Sequence, residues 1–323
     1  MDENSIPLSI AKSVAESAGK ESINKLADFF GGLFPFFGLR KKGVDAYVQE
    51  IQNSNLSPDI KMLTIANTKR TFRELQNQEA IAKIALEVAK DGTDFGETSA
   101  VDEEWFDRFM DSAKFVCAEE AQVIWGHVLA GEFEKPNSFP PQTIRILSEL
   151  PSYYAKVFSN ICSLSVELIF ADTEGKPKII FPALVMSNNI DEEYLSSLGI
   201  NFTSLSELNL LGLLQFEPLA GFVKTLSKRS VPKLHLAYGN KVATIINYPD
   251  SNFPVGPVIF TQTGQKIANL IDTKIVDKHF DIIIEDLKKK GVVFSDSPQI
   301  EIIYIDKENY TLEYKLNTSQ DRC

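Results

Sequence analysis

Three acidic residues of this sequence have a spacing that could hold a divalent cation. Glu103, Asp107 and Asp111 recur every four residues, so a helix would place their carboxylate oxygens on one face. The run 102–104 favours a simpler interpretation, because acidic side chains at the start of a helix interact favourably with its dipole. We therefore expect these residues to begin a helix, and we predict no metal site.

The residue types that commonly carry catalysis do not form a recognisable motif. His127, His235 and His279 stand apart from one another, so a zinc site would have to be assembled by the tertiary structure. The sequence contains no phosphate-binding glycine loop, dinucleotide fingerprint or nucleophile elbow. Glu174–Lys176 has the acid-x-Lys spacing of metal-dependent nucleases, but a Gly within it and a Pro after it are typical of a turn. We predict no active site and no cofactor.

The composition predicts an acidic globular protein in the cytoplasm. The chain has 323 residues, 44% of them hydrophobic, and a net charge of -11. This charge makes general nucleic-acid binding an unlikely function, because a duplex footprint needs a basic face. No secretory signal is visible, and no stretch approaches the roughly 20 apolar residues of a spanning helix. The three cysteines lack paired spacing, and we expect Cys117 and Cys162 on apolar helical faces.

Four consecutive helices are predicted between Trp105 and Cys162. Apolar residues recur there at spacings of three and four, the pattern of helices with one buried face. The two tryptophans of the chain, Trp105 and Trp125, lie on the first two of these helices. Their large rings predict one shared helical core.

A string of residues in this region carries a resemblance to a known family: Asp102-Glu103-Glu104-Trp105, Phe109, Ile124-Trp125, Leu129-Ala130-Gly131-Glu132, Pro136, Ser138-Phe139, Thr143, Leu147, Ala155, Phe158 and Cys162. On these residues the chain resembles an uncharacterised bacterial family, domain of unknown function 2806. The resemblance is strong over the middle third and weak over the last third, and it implies no catalytic residue or substrate. The chain departs from it at Asn137, Pro140 and Pro141, where similar proteins have Gly, Ser and an apolar residue.

Residues 29–42 combine aromatic and glycine residues with a basic triplet. The residues concerned are Phe29, Phe30, Phe34, Phe36, Phe37, Arg40, Lys41 and Lys42. One interpretation is an interfacial membrane element, whose rings enter the headgroup region while the basic residues attract anionic lipid. The other is a helical hairpin whose Phe side chains dock on the domain core, the commoner fate of apolar residues. The sequence leaves both interpretations open.

A helix of about 30 residues is predicted over residues 59–90, because the stretch lacks internal Pro and Gly and ends in an apolar stripe. Its middle, residues 68–78, has too little apolar surface to cover a core from one side. We expect this part to bridge subunits or to project from the body of the protein.

The pattern changes from helical to mixed after Cys162, which predicts an α-helical domain over residues 1–165 and an α/β domain over residues 166–323. The second domain should contain a β-hairpin turning at Gly239-Asn240 and a helix capped by Thr261. The order of its elements resembles winged-helix modules. In that interpretation the residues that would contact nucleic acid are Lys224, Lys228, Arg229 and Lys233.

Together these patterns predict an α+β protein with a mainly helical N-terminal domain and a C-terminal α/β domain with winged-helix-like elements. The helical region is also loosely similar to the abortive infection alpha proteins, which implies a non-enzymatic interaction or effector protein in antiphage defence. Its expected partners are another protein or a second copy of itself in a homo-oligomer, with peripheral membrane contact through residues 29–42. The alternatives are a winged-helix DNA-binding regulator and a metal-dependent nuclease.

Overall fold

The protein contains two compact units, Met1–Ser152 and Tyr153–Cys323. The computed structural model describes residues 41–89, 101–171, 177–185, 193–225, 234–249, 252–271, 273–276, 278–306 and 311–316. In these residues the first unit consists of helices, and the second combines antiparallel sheets with helices. The α+β class predicted from the sequence is therefore confirmed.

Five helices form the described part of the first unit. They are α1 (Lys41–Asn53), α2 (Pro58–Ala89), α3 (Glu103–Ala113), α4 (Glu119–Glu134) and α5 (Pro141–Glu149). Asp102 caps α3, because its side chain accepts a hydrogen bond of 2.8 Å from the backbone N–H of Trp105. The prediction that this acidic run begins a helix is confirmed.

An aromatic cluster forms the core of the first unit. Trp105 is 5% exposed and Trp125 is 1% exposed. Phe109 lies between them, with its ring centroid 5.1 Å from Trp105 and 4.8 Å from Trp125. The shared core predicted for the two tryptophans is confirmed, and Phe109 links them across α3 and α4.

A glycine allows α2 and α4 to approach closely. A Cβ atom at Gly126 would lie 2.4 Å from Cγ2 of Ile84, a distance that real Cβ atoms do not tolerate. Ile81 and Ala85, one turn apart on α2, are fully buried. The end of α2 is thus held against α4 by apolar contact at close range.

The polar middle of α2 contacts the end of α3. The side-chain amide of Asn77 donates to the carbonyl of Lys114, and that of Gln78 donates to the carbonyl of Met110, both at 2.8 Å. The Met110 carbonyl also accepts from the backbone N–H of Lys114, so Gln78 supplies its second hydrogen bond, and Asn77 bonds to the carbonyl at the C-cap of α3. At Asn77 and Gln78 this part therefore packs on α3 and does not project, whereas the bridging of subunits stays a prediction.

The two described cysteines differ in environment. Cys162 is buried, as expected for an apolar helical face. Cys117 is exposed in the connection between α3 and α4, so its assignment to a helical face is wrong. The reason is that α3 ends at Ala113, where the backbone N–H of Val116 bonds to the Ala113 carbonyl and closes a turn.

The second unit consists of the helices α6 (Ser152–Ser163), α7 (Glu193–Ser197), α8 (Phe202–Leu210), α9 (Gln262–Ala268) and α10 (His279–Lys289) and the strands β1 (Val166–Ala171), β2 (Pro177–Val185), β3 (Leu214–Phe216), β4 (Phe222–Thr225), β5 (Leu234–Tyr238), β6 (Lys241–Asn247), β7 (Asn252–Gly256), β8 (Val258–Phe260), β9 (Val293–Phe294), β10 (Ile300–Asp306) and β11 (Thr311–Leu316). The main sheet has the order β3-β8-β2-β1-β5-β6-β9, and β10-β11 and β4-β7 form separate pairs. Helix α6 falls in this unit, whereas the sequence placed it in the helical domain.

The main sheet is covered differently on its two faces. On one face Leu168 and Leu236 belong to a buried cluster with Phe280 and Ile283 of α10. On the other face a smaller cluster contains Ile169 and Ala237 and receives apolar side chains from β10 and β11. Alternation along β1 and β5 produces this division, because neighbouring residues of a strand point to opposite faces.

The predicted hairpin is formed by β5 and β6, with Gly239 at a φ of 57° in its turn. The Thr261 side chain accepts a hydrogen bond from the backbone N–H of Gly264 and caps α9, as predicted. Both strands of the hairpin belong to the seven-stranded sheet. The resemblance of this region to a winged helix stays a prediction.

Replacing the buried tryptophan should destabilise the first unit. We expect Trp125→Ala to lower the free energy of unfolding by about 3 to 5 kcal/mol, because a large side chain leaves a cavity in a packed core. Chemical denaturation of the wild type and the variant measures this change. The exposed Phe115 is the control, and Phe115→Ala should cost less than about 1 kcal/mol. Equal losses for the two variants would contradict the shared core.

Candidate functional site

The residues predicted to contact a membrane are only partly described by the structure. Phe29, Phe30, Phe34, Phe36, Phe37 and Arg40 lie outside the described residues. Lys41 and Lys42 are exposed in the first turn of α1. The two interpretations of residues 29–42 therefore stay predictions.

The residues predicted to contact nucleic acid are mostly outside the described part of the chain. Lys224 lies on β4 and is half-buried. Lys228, Arg229 and Lys233 lie outside the described residues, as does the acid-x-Lys sequence at Glu174. The set of nucleic-acid contacts therefore stays a prediction.

The acidic residues of α3 point into solvent. Glu103, Asp107 and Asp111 are exposed, and Asp111 forms an ion pair with Lys114. Among the residues that the structure describes, no group of three His, Cys, Asp or Glu side chains could hold a metal ion.

Apolar side chains are exposed where α1 turns into α2. Leu56 and Ile60 are exposed there, and Met62 and Leu63 are 68% and 64% exposed. We call these four residues the hairpin tip. Single exposed apolar residues are ordinary, but four of them within eight positions of the chain are unusual and favour an interaction surface. This surface was not predicted from the sequence, because the apolar stripe identified there lies at the other end of α2.

The α1–α2 hairpin is basic, although the protein is acidic. Residues 41–74 contain six basic and four acidic side chains, a net charge of +2, whereas residues 101–152 contain four basic and ten acidic side chains, a net charge of -6. In the first unit, positive charge is therefore in excess in the α1–α2 hairpin and negative charge in the helices that follow it. No helix in the described ranges is long and apolar enough to cross a bilayer.

Glu132 organises the turn between α4 and α5. Its buried carboxylate accepts hydrogen bonds from the backbone N–H groups of Asn137, at 2.5 Å, and Phe139, at 2.8 Å. The indole N–H of Trp105 donates to the Phe139 carbonyl at 2.6 Å. Asn137 has a φ of 66°, a left-handed conformation that Gly and Asn adopt most readily. Asn137 therefore suits this position of the turn, which a β-branched residue would occupy only with strain.

A surface cavity of about 420 Å³ opens beside this turn. Its walls combine the apolar surfaces of Trp105, Phe139 and Pro140 with the ion pair of Glu104 and Arg108. The described side chains that line it include no His, Cys, Ser or Lys. The cavity can therefore bind an apolar group within a charged rim, but its lining offers no nucleophile of those types.

The role of Glu132 was not found from the sequence, although the residue lies in the motif string. A Glu at the end of a helix, followed closely by Pro136, is a signal for a carboxylate that holds a turn. The partners of the carboxylate are backbone N–H groups, which every residue except proline carries. Which backbone N–H groups reach the carboxylate depends on the path of the turn, and only the folded chain defines that path.

Histidine 279 is fully buried at the start of α10. Its Nε2 lies 2.8 Å from the Leu164 carbonyl, and its Nδ1 lies 2.7 Å from the Tyr194 hydroxyl. A carbonyl only accepts hydrogen bonds, so Nε2 carries the hydrogen and Nδ1 accepts from Tyr194. Burial lowers the pKa of His279 to about 4, although the hydrogen bond to Leu164 acts in the opposite direction. His279 is a neutral structural residue near pH 7, as expected from the sequence.

The comparison with known families supports the resemblance found in the motif string. The model of the family described as "Protein of unknown function (DUF2806)" matches residues 66–284. The match includes the turn held by Glu132 and the buried His279, whereas the hairpin tip lies before it. No curated protein and no solved structure matches the chain.

Neutralising Glu132 should destabilise the turn. In Glu132→Gln one backbone N–H faces an amide NH2 group, so we expect a loss of about 1 to 3 kcal/mol for one unsatisfied buried donor. Chemical denaturation measures the loss. Glu87 is exposed on α2, so Glu87→Gln is the control and should change the stability by no more than about 0.5 kcal/mol. Equal stability of Glu132→Gln and the wild type would contradict the proposed role of the carboxylate.

The buried His279 should make stability depend on pH. Its pKa is about 4 in the folded protein, below the ordinary histidine value of 6.5, so the unfolded chain binds a proton first as the pH falls. The free energy of unfolding should therefore decrease from pH 6.5 to pH 4, by up to about 3 kcal/mol. His279→Gln keeps a donor and an acceptor but does not titrate, and it should remove this contribution. Identical pH slopes of wild type and variant would refute the assignment.

Proposed function

Because the chain belongs to the DUF2806 family, whose members are described as proteins of unknown function, we propose a function from its own surfaces. The protein acts as a non-enzymatic interaction or effector protein that makes peripheral contact with an anionic membrane. The contact is made by the α1–α2 hairpin together with residues 29–42. The second part of the proposal is a role in antiphage defence, which follows only from the resemblance to abortive infection alpha proteins stated for the sequence.

The exposed hairpin tip is the observation that supports this proposal most directly. Met62 and Leu63 each expose more than half of their surface to water at the start of α2. Their apolar side chains would gain free energy by entering the interfacial region of a bilayer. The tip is too short to span a membrane, so the contact would be peripheral.

The charge of the hairpin supports the same partner. Residues 41–74 have a net charge of +2 in a protein of net charge -11. Each Lys or Arg near an anionic lipid surface is worth about 1 kcal/mol. Lys41 and Lys42 are exposed, and Lys69 and Arg70 are exposed farther along the hairpin. The acidic helices that follow would be repelled by the same surface, which favours contact through the hairpin.

The segment before the hairpin extends this surface along the sequence. Phe34, Phe36 and Phe37 are followed within a few residues by Arg40 and Lys41. Aromatic rings next to basic residues suit the headgroup region of an anionic bilayer. In an abortive infection role, contact with the membrane would be the step that infection triggers.

Flotation with lipid vesicles tests the proposed contact. We expect the wild type to float with vesicles that contain phosphatidylglycerol and to remain unbound with phosphatidylcholine alone. Met62→Ser with Leu63→Ser should weaken binding by at least about tenfold, because partial burial of two apolar side chains is worth more than about 1.4 kcal/mol. Phe34→Asp with Phe36→Asp tests the preceding segment in the same way.

The matched control is Leu210→Ser with Leu219→Ser, which removes two exposed leucines from the second unit. This control should float like the wild type. Failure of the wild type to float, or equal flotation of the wild type and the tip variant, would overturn the proposed contact. Plaque counts on host cells expressing each protein test the defence role. Equal counts with and without the wild type would overturn that part.

A further inference from the structure

A groove runs between α3 and α5 on the surface of the first unit. It consists of three cavities of about 420, 490 and 370 Å³. Arg108 and Pro141 line both the first and the second cavity, and Asp111 and Ser148 line both the second and the third. Because neighbouring cavities have walls in common, they form one continuous groove, which we call the α3–α5 groove.

The two ends of this groove differ in chemistry. At the end of α3 its walls include the apolar side chains of Phe115, Leu150 and Pro151, and Phe115 is 64% exposed. The start of α3 carries four exposed acidic side chains: Asp102, Glu103, Glu104 and Asp107. Arg108 forms an ion pair with Glu104, so acidic side chains remain in excess there. The groove thus has an apolar end and an acidic end.

The exposed face of α2 has the complementary pattern. Its first turn exposes apolar side chains of the hairpin tip, and about two turns later the exposed side chains are basic: Lys69, Arg70 and Arg73. Arg70 also forms an ion pair with Glu74 on the same helix. Lys69 and Arg70 follow Met62 and Leu63 by seven residues, which places them on the same face of the helix. This face is therefore apolar at its start and basic farther along.

Helix α2 cannot reach the groove of its own molecule. Met62 and Leu63 are exposed, and α2 is an uninterrupted helix whose Asn77 and Gln78 bond to the end of α3. Its first half therefore cannot fold back beside α3. The lengths fit between two copies, because residues 60–73 span about 20 Å and the 11 residues of α3 span about 16 Å. A second copy of the chain can thus supply the helix that the groove accommodates.

We propose that the exposed face of α2 in one copy docks in the α3–α5 groove of a second copy. The hairpin tip packs on the apolar end of the groove, and Lys69, Arg70 and Arg73 approach the acidic start of α3. A helix that places apolar side chains in a groove is a common mode of recognition. The helix face and the groove are different surfaces, so each docked copy still has one of them free. Such a contact produces rings or filaments instead of a closed two-fold dimer.

Sedimentation velocity of the full-length protein without lipid tests the assembly. The mass of the wild type should rise beyond that of a dimer with protein concentration and fall at high salt, which screens the charges. Met62→Ser with Leu63→Ser removes the docking face. Ser148 is exposed and lines two of the cavities, so Ser148→Arg blocks the groove with a bulky cation. Each variant alone should self-associate at least about tenfold more weakly than the wild type.

Mixing the two variants gives a sharper result. The tip variant keeps an intact groove, and the groove variant keeps an intact α2 face. An equimolar mixture should therefore form a dimer of one copy of each and no larger species. Ser196→Arg is the matched control, because Ser196 is also an exposed serine on a helix but lies in the second unit. This control should assemble like the wild type.

The same contact would regulate the hairpin tip, a step that rests on the proposed function. A tip that occupies the groove of a second copy cannot enter a bilayer at the same time. The groove variant has a free tip on every copy, so it should float with anionic vesicles at an at least about threefold lower lipid concentration than the wild type. Ser196→Arg adds the same charge and should float like the wild type. If no form of the protein floats, the membrane contact fails, whereas the assembly is judged without lipid.

Several results would overturn the proposed assembly. They are a wild type that stays monomeric at every concentration, a wild type that stops at a dimer, a tip variant that assembles like the wild type, and a mixture of the two variants that forms no dimer. Asp111→Arg is a second groove variant for the case that Ser148→Arg fails to fold, because the Asp111 side chain is 73% exposed and lines two of the cavities. Assembly of Asp111→Arg at the strength of the wild type would also overturn the proposal.

Discussion

The first unit depends on the contact of three aromatic rings, Trp105, Phe109 and Trp125. These rings join α3 to α4, and the Trp105 indole also holds the carbonyl of Phe139 in the following turn. The position of this turn allows the Glu132 carboxylate to reach two backbone N–H groups. The aromatic rings exclude water from the turn, and the polar groups buried there must therefore form hydrogen bonds within the protein. The apolar core and these hydrogen bonds thus stabilise the same part of the unit.

Charged and apolar side chains are distributed unevenly over the surface of the first unit. Helices α3 to α5 carry most of its acidic side chains, whereas the α1–α2 hairpin is basic and exposes four large apolar residues at its tip. A helix that only supports a core would turn such residues inward. The hairpin therefore combines exposed apolar side chains with a positive net charge, the two properties on which the proposed membrane contact rests.

The second unit shows how the two faces of one sheet acquire different chemistry. The face beneath α10 is apolar and closely packed. The opposite face carries Glu167, His235 and Thr244, and the imidazole of His235 lies 3.0 Å from the Thr244 hydroxyl. The hairpin of β10 and β11 packs against this face, and a cavity lies beside it. Polar side chains are tolerated on this face because the apolar face already stabilises the sheet.

The sequence by itself determined the α+β class, the succession of helices from Trp105 onward, the hairpin at Gly239-Asn240 and the cap at Thr261. Periodicity, caps and turn residues are local signals, so one sequence is sufficient to recognise them. Only the tertiary structure decided that Asn77 and Gln78 complete the end of α3, that Glu132 holds a turn, and that Glu167 lines a cavity. The partners in these cases are backbone groups or surfaces distant along the chain, and no spacing in the sequence records which of them the fold brings together.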